Sequence, residues 1–354
     1  MNSLTRALAL VHQDAQQVLQ NRVSTIMRLK GTHVFITGGT GFLGTWLLEL
    51  IYALNTAYAF DLRATIFSRS ARDFAQRWPH LGSLPWAKFQ DGDIRYINEV
   101  PRDTDFIVHA AALTDRRYFA SQPTLVAETN TAGTLRLLRA ANILEQLQNI
   151  ALLSSGLVYG AQPWELASVD ETFSGALACN TVNSVYAESK RFSEVIGHCA
   201  VSENKLPVII LRPFAFVGPY QSLQLPWAVT DFIRDSFTGG PIRIMGDGAT
   251  VRSIMYGSDF AFWVLAALAN GQPRQTYNIG SHDAIDLGTL ARKITQYFSP
   301  VPEIQTRLGQ AGHDRNRLVP NVDKAARDLG VTQTVALEDA LQRTVTWNRL
   351  MQKL

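Results

Sequence analysis

Tyr186 and Lys190 stand four residues apart in VYAESKRFSEV, a spacing that puts both side chains on one face of a helix. A free phenol has a pKa of about 10, and a neighbouring ammonium favours its ionised form. A tyrosine so placed can accept a hydroxyl proton while the carbon bearing that hydroxyl loses hydride to a nicotinamide. Ser155, in LLSSGLVYG at the end of an apolar run, is expected to hydrogen-bond the same oxygen. Chance often places Tyr and Lys four apart on a helix, so the pair takes its meaning from its surroundings.

A hydride acceptor needs a cradle, and TGGTGFLG has the composition of one. Gly38, Gly39, Gly41 and Gly44 lie between the strand-like run HVFIT and a helix-like run. In that context glycines close a tight turn, let the backbone approach a pyrophosphate and pack helix against strand. Thr40, Phe42 and Leu43 complete the turn, and the helix behind it directs N–H groups toward phosphates. A purely structural turn is the alternative. At the end of the next run, RATIFS, no carboxylate stands ready for ribose hydroxyls. Ser68 and Arg69 there suit the extra phosphate of NADP, which makes NADP the expected cofactor. NAD is the alternative, with Arg69 then a solvated loop residue. Asp93 and Ile94 in DGDI are expected at the adenine, and His109, Ala110 and Ala111 along the middle of the dinucleotide.

Such residues must be held by alternating strands and helices. Short apolar runs (HVFIT, RATIFS, FIVHAAA, IALLSS, VIILRPF, TYNIGS) alternate with helical stretches such as TLVAETNTAGTLRLLRAAN and VYAESKRFSEVIGHCA. The pattern predicts an α/β fold, a Rossmann-like doubly wound parallel sheet covered on both faces. Residues 1–30 read as an N-terminal helical extension, one amphipathic helix over 4–29 with Leu4, Leu8, Val11, Ala15, Val18 and Leu19 on its apolar face. Packing on the main body is expected of it, with an oligomerisation arm as the alternative. Residues 31–215 read as the NAD(P)-binding domain, with 253–282 returning to it. Residues 216–252 and 283–354 read as a smaller C-terminal substrate-binding lobe over the carboxyl edge of the sheet.

The chain has 354 residues, 46% of them apolar and 18% charged, the balance of a packed globular protein. Its net charge of +3, from 33 basic and 30 acidic residues, is too slight to point to nucleic acid or a membrane surface. Cys179 and Cys199 match neither a zinc site nor a redox pair, so no metal is expected. A reducing compartment is the simpler inference. The apolar run Ala7–Val11 is too short for a secretory signal, and no stretch approaches the roughly 20 apolar residues of a spanning helix. The expected location is the cytoplasm.

The glycine turn, then HAAA, SSGLVYG, YAESK and LRPFAFVGP arrive in the order of the extended short-chain dehydrogenase/reductases, which this chain resembles over about residues 31–350. Within them it looks like the nucleotide-sugar epimerase and dehydratase family. The resemblance implies a nucleoside-diphosphate sugar as substrate and a role in making surface polysaccharide such as the O-antigen of lipopolysaccharide. It places Pro213 at the cofactor and Arg252, in GDGATVRSIMYGSDF, on the substrate diphosphate, where a bidentate guanidinium suits the task. A surface salt bridge is the alternative for Arg252. It also implies a homodimer formed through the helix bearing Tyr186 and the helix before it.

Three departures narrow the reaction. The family's 4,6-dehydratases carry Asp-Glu directly after the residue matching Ser155, where this chain has Gly156 and Leu157, and its decarboxylases place Glu at 157. The family's Asn before FVGP is Ala215 here. Thr114 and Asp115 follow HAAA as candidate sugar contacts or loop caps. The expected function is NAD(P)-dependent oxidation and reduction at C4, of the epimerase or 4-ketoreductase type. The alternatives are a dehydratase or decarboxylase with a non-standard acid, a reductase of a non-sugar ketone, and a non-catalytic dinucleotide sensor.

Overall fold

The run HVFIT forms a fully buried strand whose side chains divide between two cores: Val34 and Ile36 face one, Phe35 the other. The next three central strands divide likewise, as a sheet covered on both faces requires. Phe106 and Val108 oppose Ile107, Ala151 and Leu153 oppose Ile150 and Leu152, and Ile209 and Leu211 oppose Val208 and Ile210. The structure is a computed structural model describing residues 2–306 and 316–353. Residues 307–315, in the segment assigned to the substrate lobe, lie outside the described residues.

The first half of the chain gives α1 (Ser3–Leu19), β1 (His33–Thr37), α2 (Phe42–Tyr58), β2 (Arg63–Ser68), α3 (Ala71–Arg77), α4 (Pro79–Gly82), β3 (Ala87–Asp91), β4 (Phe106–His109), α5 (Arg116–Ser121), α6 (Pro123–Ala141) and β5 (Asn149–Leu153). There follow α7 (Val185–Asn204), β6 (Val208–Pro213), β7 (Ala215–Val217), α8 (Ala228–Phe237), β8 (Ile242–Ile244), β9 (Val251–Tyr256) and α9 (Gly257–Asn270). The chain closes with β10 (Thr276–Ile279), β11 (Ala284–Asp286), α10 (Leu287–Thr295), β12 (Ile304–Thr306), β13 (Arg317–Leu318), α11 (Asp323–Leu329) and α12 (Leu337–Met351).

Seven strands form one parallel sheet in the order β3-β2-β1-β4-β5-β6-β10. Helices α2 and α9 pack together on one side, α6 and α7 on the other. This is the doubly wound Rossmann arrangement read from the sequence. Its strand order reverses between β1 and β4, which opens a crevice at their carboxyl ends. A second sheet is built on β9, with β11 antiparallel on one edge and β13 and β7 parallel to it, and β8 pairs with β12. Helices α11 and α12 pack on α9 and α1.

The single helix expected over 4–29 is two. Helix α1 ends at Leu19, Asn21 turns the chain at φ 61°, and Val23–Leu29 continue as a 3-10 helix. Asparagine tolerates that left-handed conformation better than most residues. Leu4 and Leu8 are half-buried on α1, whereas Ala7 and Asp14 join Val11, Ala15, Val18 and Leu19 in full burial. Asp14 accepts from the Tyr256 hydroxyl at 2.5 Å and from Arg343 at 2.6 Å, which ties α1 to β9 and α12. Among the described residues no helix is long and apolar enough to cross a membrane.

Candidate active site

The carboxyl ends of β1, β4, β5 and β6 open onto a cleft of about 520 Å³, within the usual size of ligand pockets. The residues expected at the cofactor, Gly38, Thr40, Gly41, Phe42, Leu43, Gly44, Ser68, Arg69, Asp93, Ile94, Ala110, Ala111 and Pro213, all line it. Tyr186, Lys190 and Ser155 line its centre, and Thr114 and Arg252 its far side. The fold thus brings together residues spread from position 38 to position 252. His109 is a correction. It does not line the cleft but is buried behind it, its Nδ1 at 2.8 Å from the Thr37 hydroxyl and its Nε2 at 2.9 Å from that of Thr134. Of the two roles left open for Asp115 the structure shows the cap, its carboxylate accepting from the Arg117 N–H at the start of α5.

The turn after β1 fits a dinucleotide. Gly38 has φ 68°, and a Cβ there would sit 2.7 Å from the Ala111 backbone; one on Gly44 would sit 2.3 Å from Gly39. The turn therefore packs against the chain after β4 and against the start of α2 with no room for a side chain at either glycine. Gly41 is the N-cap of α2 and offers no side chain to its first turn, so those N–H groups stay available to an anion. The Ser68 hydroxyl is bound to that of Thr40 at 2.7 Å. Arg69 is exposed at the cleft edge. The Asp93 carboxylate is held by Arg95 at 2.7 Å, and this bond keeps it below the usual carboxylate range.

Tyr186, Lys190 and Ser155 meet where α7 approaches the end of β5. The Tyr186 ring stacks on Phe119 with centroids 4.9 Å apart and 13° between planes. Burial pushes its phenol up to about 12, opposed by a hydrogen bond with Ser155. In the protein alone, burial outweighs the lowering expected of the neighbouring ammonium. The ammonium of Lys190 donates to the Leu153 carbonyl at 2.8 Å and contributes no resolved effect on the phenol. Burial lowers Lys190 to about 8, against the charge of Glu194 one turn on. Glu194 is itself fixed by Arg212 at 2.7 Å and by the Ser154 hydroxyl at 2.5 Å.

On the far side, Arg252 of β9 is half-buried and donates to the Val251 carbonyl at 2.8 Å. Burial and the like charge of Arg116 bring it down to about 10. A guanidinium lining the cleft with a second positive charge near it suits a polyanion. Arg116 was not legible in the sequence, where it follows a loop with no motif. Gln221 was missed too; it lines the cleft, its Nε2 donates to the Phe216 carbonyl at 3.1 Å, and its Oε1 is buried without a hydrogen-bond partner.

Residues 34–280 match the NAD dependent epimerase/dehydratase family. The chain belongs to that family. It is 26% identical to a UDP-glucuronic acid decarboxylase 1 of Xenopus tropicalis, over 89% of this chain and 72% of that one. Among solved structures, a dTDP-glucose 4,6-dehydratase from Streptomyces venezuelae with NAD bound superposes with a TM-score of 0.76 at 25% identity, covering 90% of this chain and 97% of that one. A UDP-glucose 4-epimerase from Thermotoga maritima superposes equally well, with a TM-score of 0.76 at 21% identity, over 91% of this chain and all of that one (100%). These three carry out three different reactions.

The departures from the family pattern all sit in the cleft. A Cβ on Gly156 would meet the Phe214 ring at 3.1 Å. Leu157 presents an apolar side chain to the cavity, and so does Ala215. No proton donor or acceptor stands at any of the three.

Proposed function

We propose that this family member oxidises and reduces C4 of a nucleoside-diphosphate sugar, as a 4-epimerase or 4-ketoreductase, with Tyr186 as acid and base. The observation that carries the reading is the conjunction of Tyr186, Ser155 and Lys190 in one cleft with Gly156 and Leu157 at the acid positions. Elimination of water between C4 and C6, or decarboxylation, calls for a second proton carrier beside the sugar, and that wall is apolar. Relatives and neighbours named for UDP- and dTDP-sugars support the substrate class.

The nicotinamide cofactor, when bound, supplies the hydride acceptor and, in its oxidised form, a positive charge. Tyr186 would then have that charge to favour its phenolate, offsetting the burial that holds the phenol neutral, while Lys190 stays fixed on the Leu153 carbonyl. Ser155 steadies the sugar oxygen while Tyr186 takes its proton and hydride leaves C4. The reverse transfer returns a proton from Tyr186 as C4 is reduced. Arg252 holds the diphosphate with the charge of Arg116 nearby, and Thr114 and Gln221 line the cavity toward the sugar or base. Leu225, Trp227, Leu287 and Leu290 make part of the cavity apolar, which favours a non-sugar ketone as the second reading, but that reading leaves the guanidinium of Arg252 in the cleft without a role.

NADP is the proposed cofactor, supported by Arg69 at the cleft edge and by the lack of a carboxylate at the end of β2. A cytoplasmic setting accords with Cys179 and Cys199, both exposed and unpaired. Pairing with a second copy through α6 and α7 is proposed as well. Incubation with UDP-, dTDP-, GDP- and CDP-hexoses and their 4-keto derivatives, with products read by NMR, tests the reading. A C4-inverted sugar or a reduced 4-ketone is expected. A 4-keto-6-deoxy product or loss of carbon dioxide contradicts it.

A further inference from the structure

Away from the cleft, three potential metal ligands converge from separate elements: His12 of α1, Glu49 of α2 and His80 of α4. One ligand atom from each lies within 4.8 Å of the others. The Glu49 carboxylate is fully buried, with His80 Nε2 at 2.9 Å and the Tyr220 hydroxyl on Oε1. Its Oε2 and the His12 Nε2 stand 3.5 Å apart, both buried and without a hydrogen-bond partner. A buried carboxylate oxygen facing a bare imidazole nitrogen is costly unless something binds both.

Two imidazoles and one carboxylate form a donor set suited to zinc, with a fourth position left for water. Tetrahedral coordination at about 2.0–2.1 Å places ligand atoms roughly 3.3 Å apart, near the separation of His12 and Glu49. The rings are already oriented: His12 stacks on Tyr52 at 5.1 Å between centroids, and His80 meets Trp78 edge-on at 88°. The side chains of His12 and His80 keep 34% and 20% of their exposure, which leaves an entry path.

We propose that His12, Glu49 and His80 bind one divalent transition ion of the zinc class, which fastens the N-terminal helix to the dinucleotide-binding core. The sequence pointed to no metal from its two cysteines, and positions 12, 49 and 80 share no motif spacing; only the docking of α1 beside α2 and α4 assembles them. Nothing in the proposed C4 chemistry requires this ion, so the site stands apart from that reading.

The test uses untagged full-length protein, stripped with chelator, titrated with zinc chloride and measured for metal by mass spectrometry after gel filtration. One zinc per chain and a raised Tm are expected, and the same result is expected with Cys179 and Cys199 both changed to Ser. His12→Ala, His80→Ala and Glu49→Gln should each lose the bound zinc while still binding nicotinamide cofactor, which shows that they fold. A parent chain that retains no zinc, or a His12→Ala, His80→Ala double variant that retains it, overturns the proposal.

Discussion

Tyr186 shows how far residue type reaches and where it stops. Its spacing from Lys190 could be read from the chain, but its ionisation could not, because burial acts on both groups and neither neighbour can be seen in a line of letters. Burial holds the phenol up at about 12 and the ammonium down at about 8 in the protein alone, so the charged state of the pair depends on what enters the cleft. Arg69 poses a simpler case. If its guanidinium meets a 2′-phosphate, Arg69→Ala should weaken NADP binding roughly 10- to 100-fold, the scale of a hydrogen bond to a charged group, and leave NAD nearly unchanged. Calorimetric titration with both cofactors measures this, and equal losses for both contradict the NADP assignment. Ser68, read together with Arg69, lines the cleft with its hydroxyl on that of Thr40, and Arg116 had no signal at all.

At the scale of elements, His109 is a strut. It links the end of β1, through Thr37, to α6, through Thr134, and burial with the nearby charge of Lys190 lowers it to about 3. An unfolded imidazole protonates near 6.5, so acid binds the unfolded chain in preference between those values. Stability should therefore fall as pH drops from about 6.5 toward 3. His109→Gln should cost roughly 1–3 kcal/mol at neutral pH by breaking buried hydrogen bonds and should flatten that acid slope. Chemical denaturation across the pH range checks both, and an unaltered slope contradicts the account. Strands β1, β4, β5 and β6 were legible because each is buried on both faces and so reads as an unbroken apolar run. Strand β3 was not, since most of its residues are exposed at the sheet edge. Strands β8, β12 and β13 have too few residues to carry a period, and the break in the N-terminal helix hangs on one left-handed asparagine.

The whole molecule joins a sheet that presents the glycine turn to a second sheet that presents Arg252, and both line the cleft. Its outer surface makes a further prediction. Phe192 and Val195 of α7 are 57% and 50% exposed, with Leu135 of α6 at 37%, apolar area that a second copy would cover. Sedimentation at micromolar concentration should give a dimer, and Phe192→Asp should give a monomer; a monomeric parent contradicts the pairing. The central claim concerns the phenol at the middle of the cleft. The most direct measurement mixes a nucleotide sugar with protein loaded with oxidised cofactor and follows nicotinamide reduction in a single turnover, for the parent chain and Tyr186→Phe. The variant should bind both ligands and reduce the nicotinamide roughly 10²- to 10⁴-fold more slowly, the usual worth of a positioned acid–base group, whereas equal rates in the two proteins would contradict the assignment.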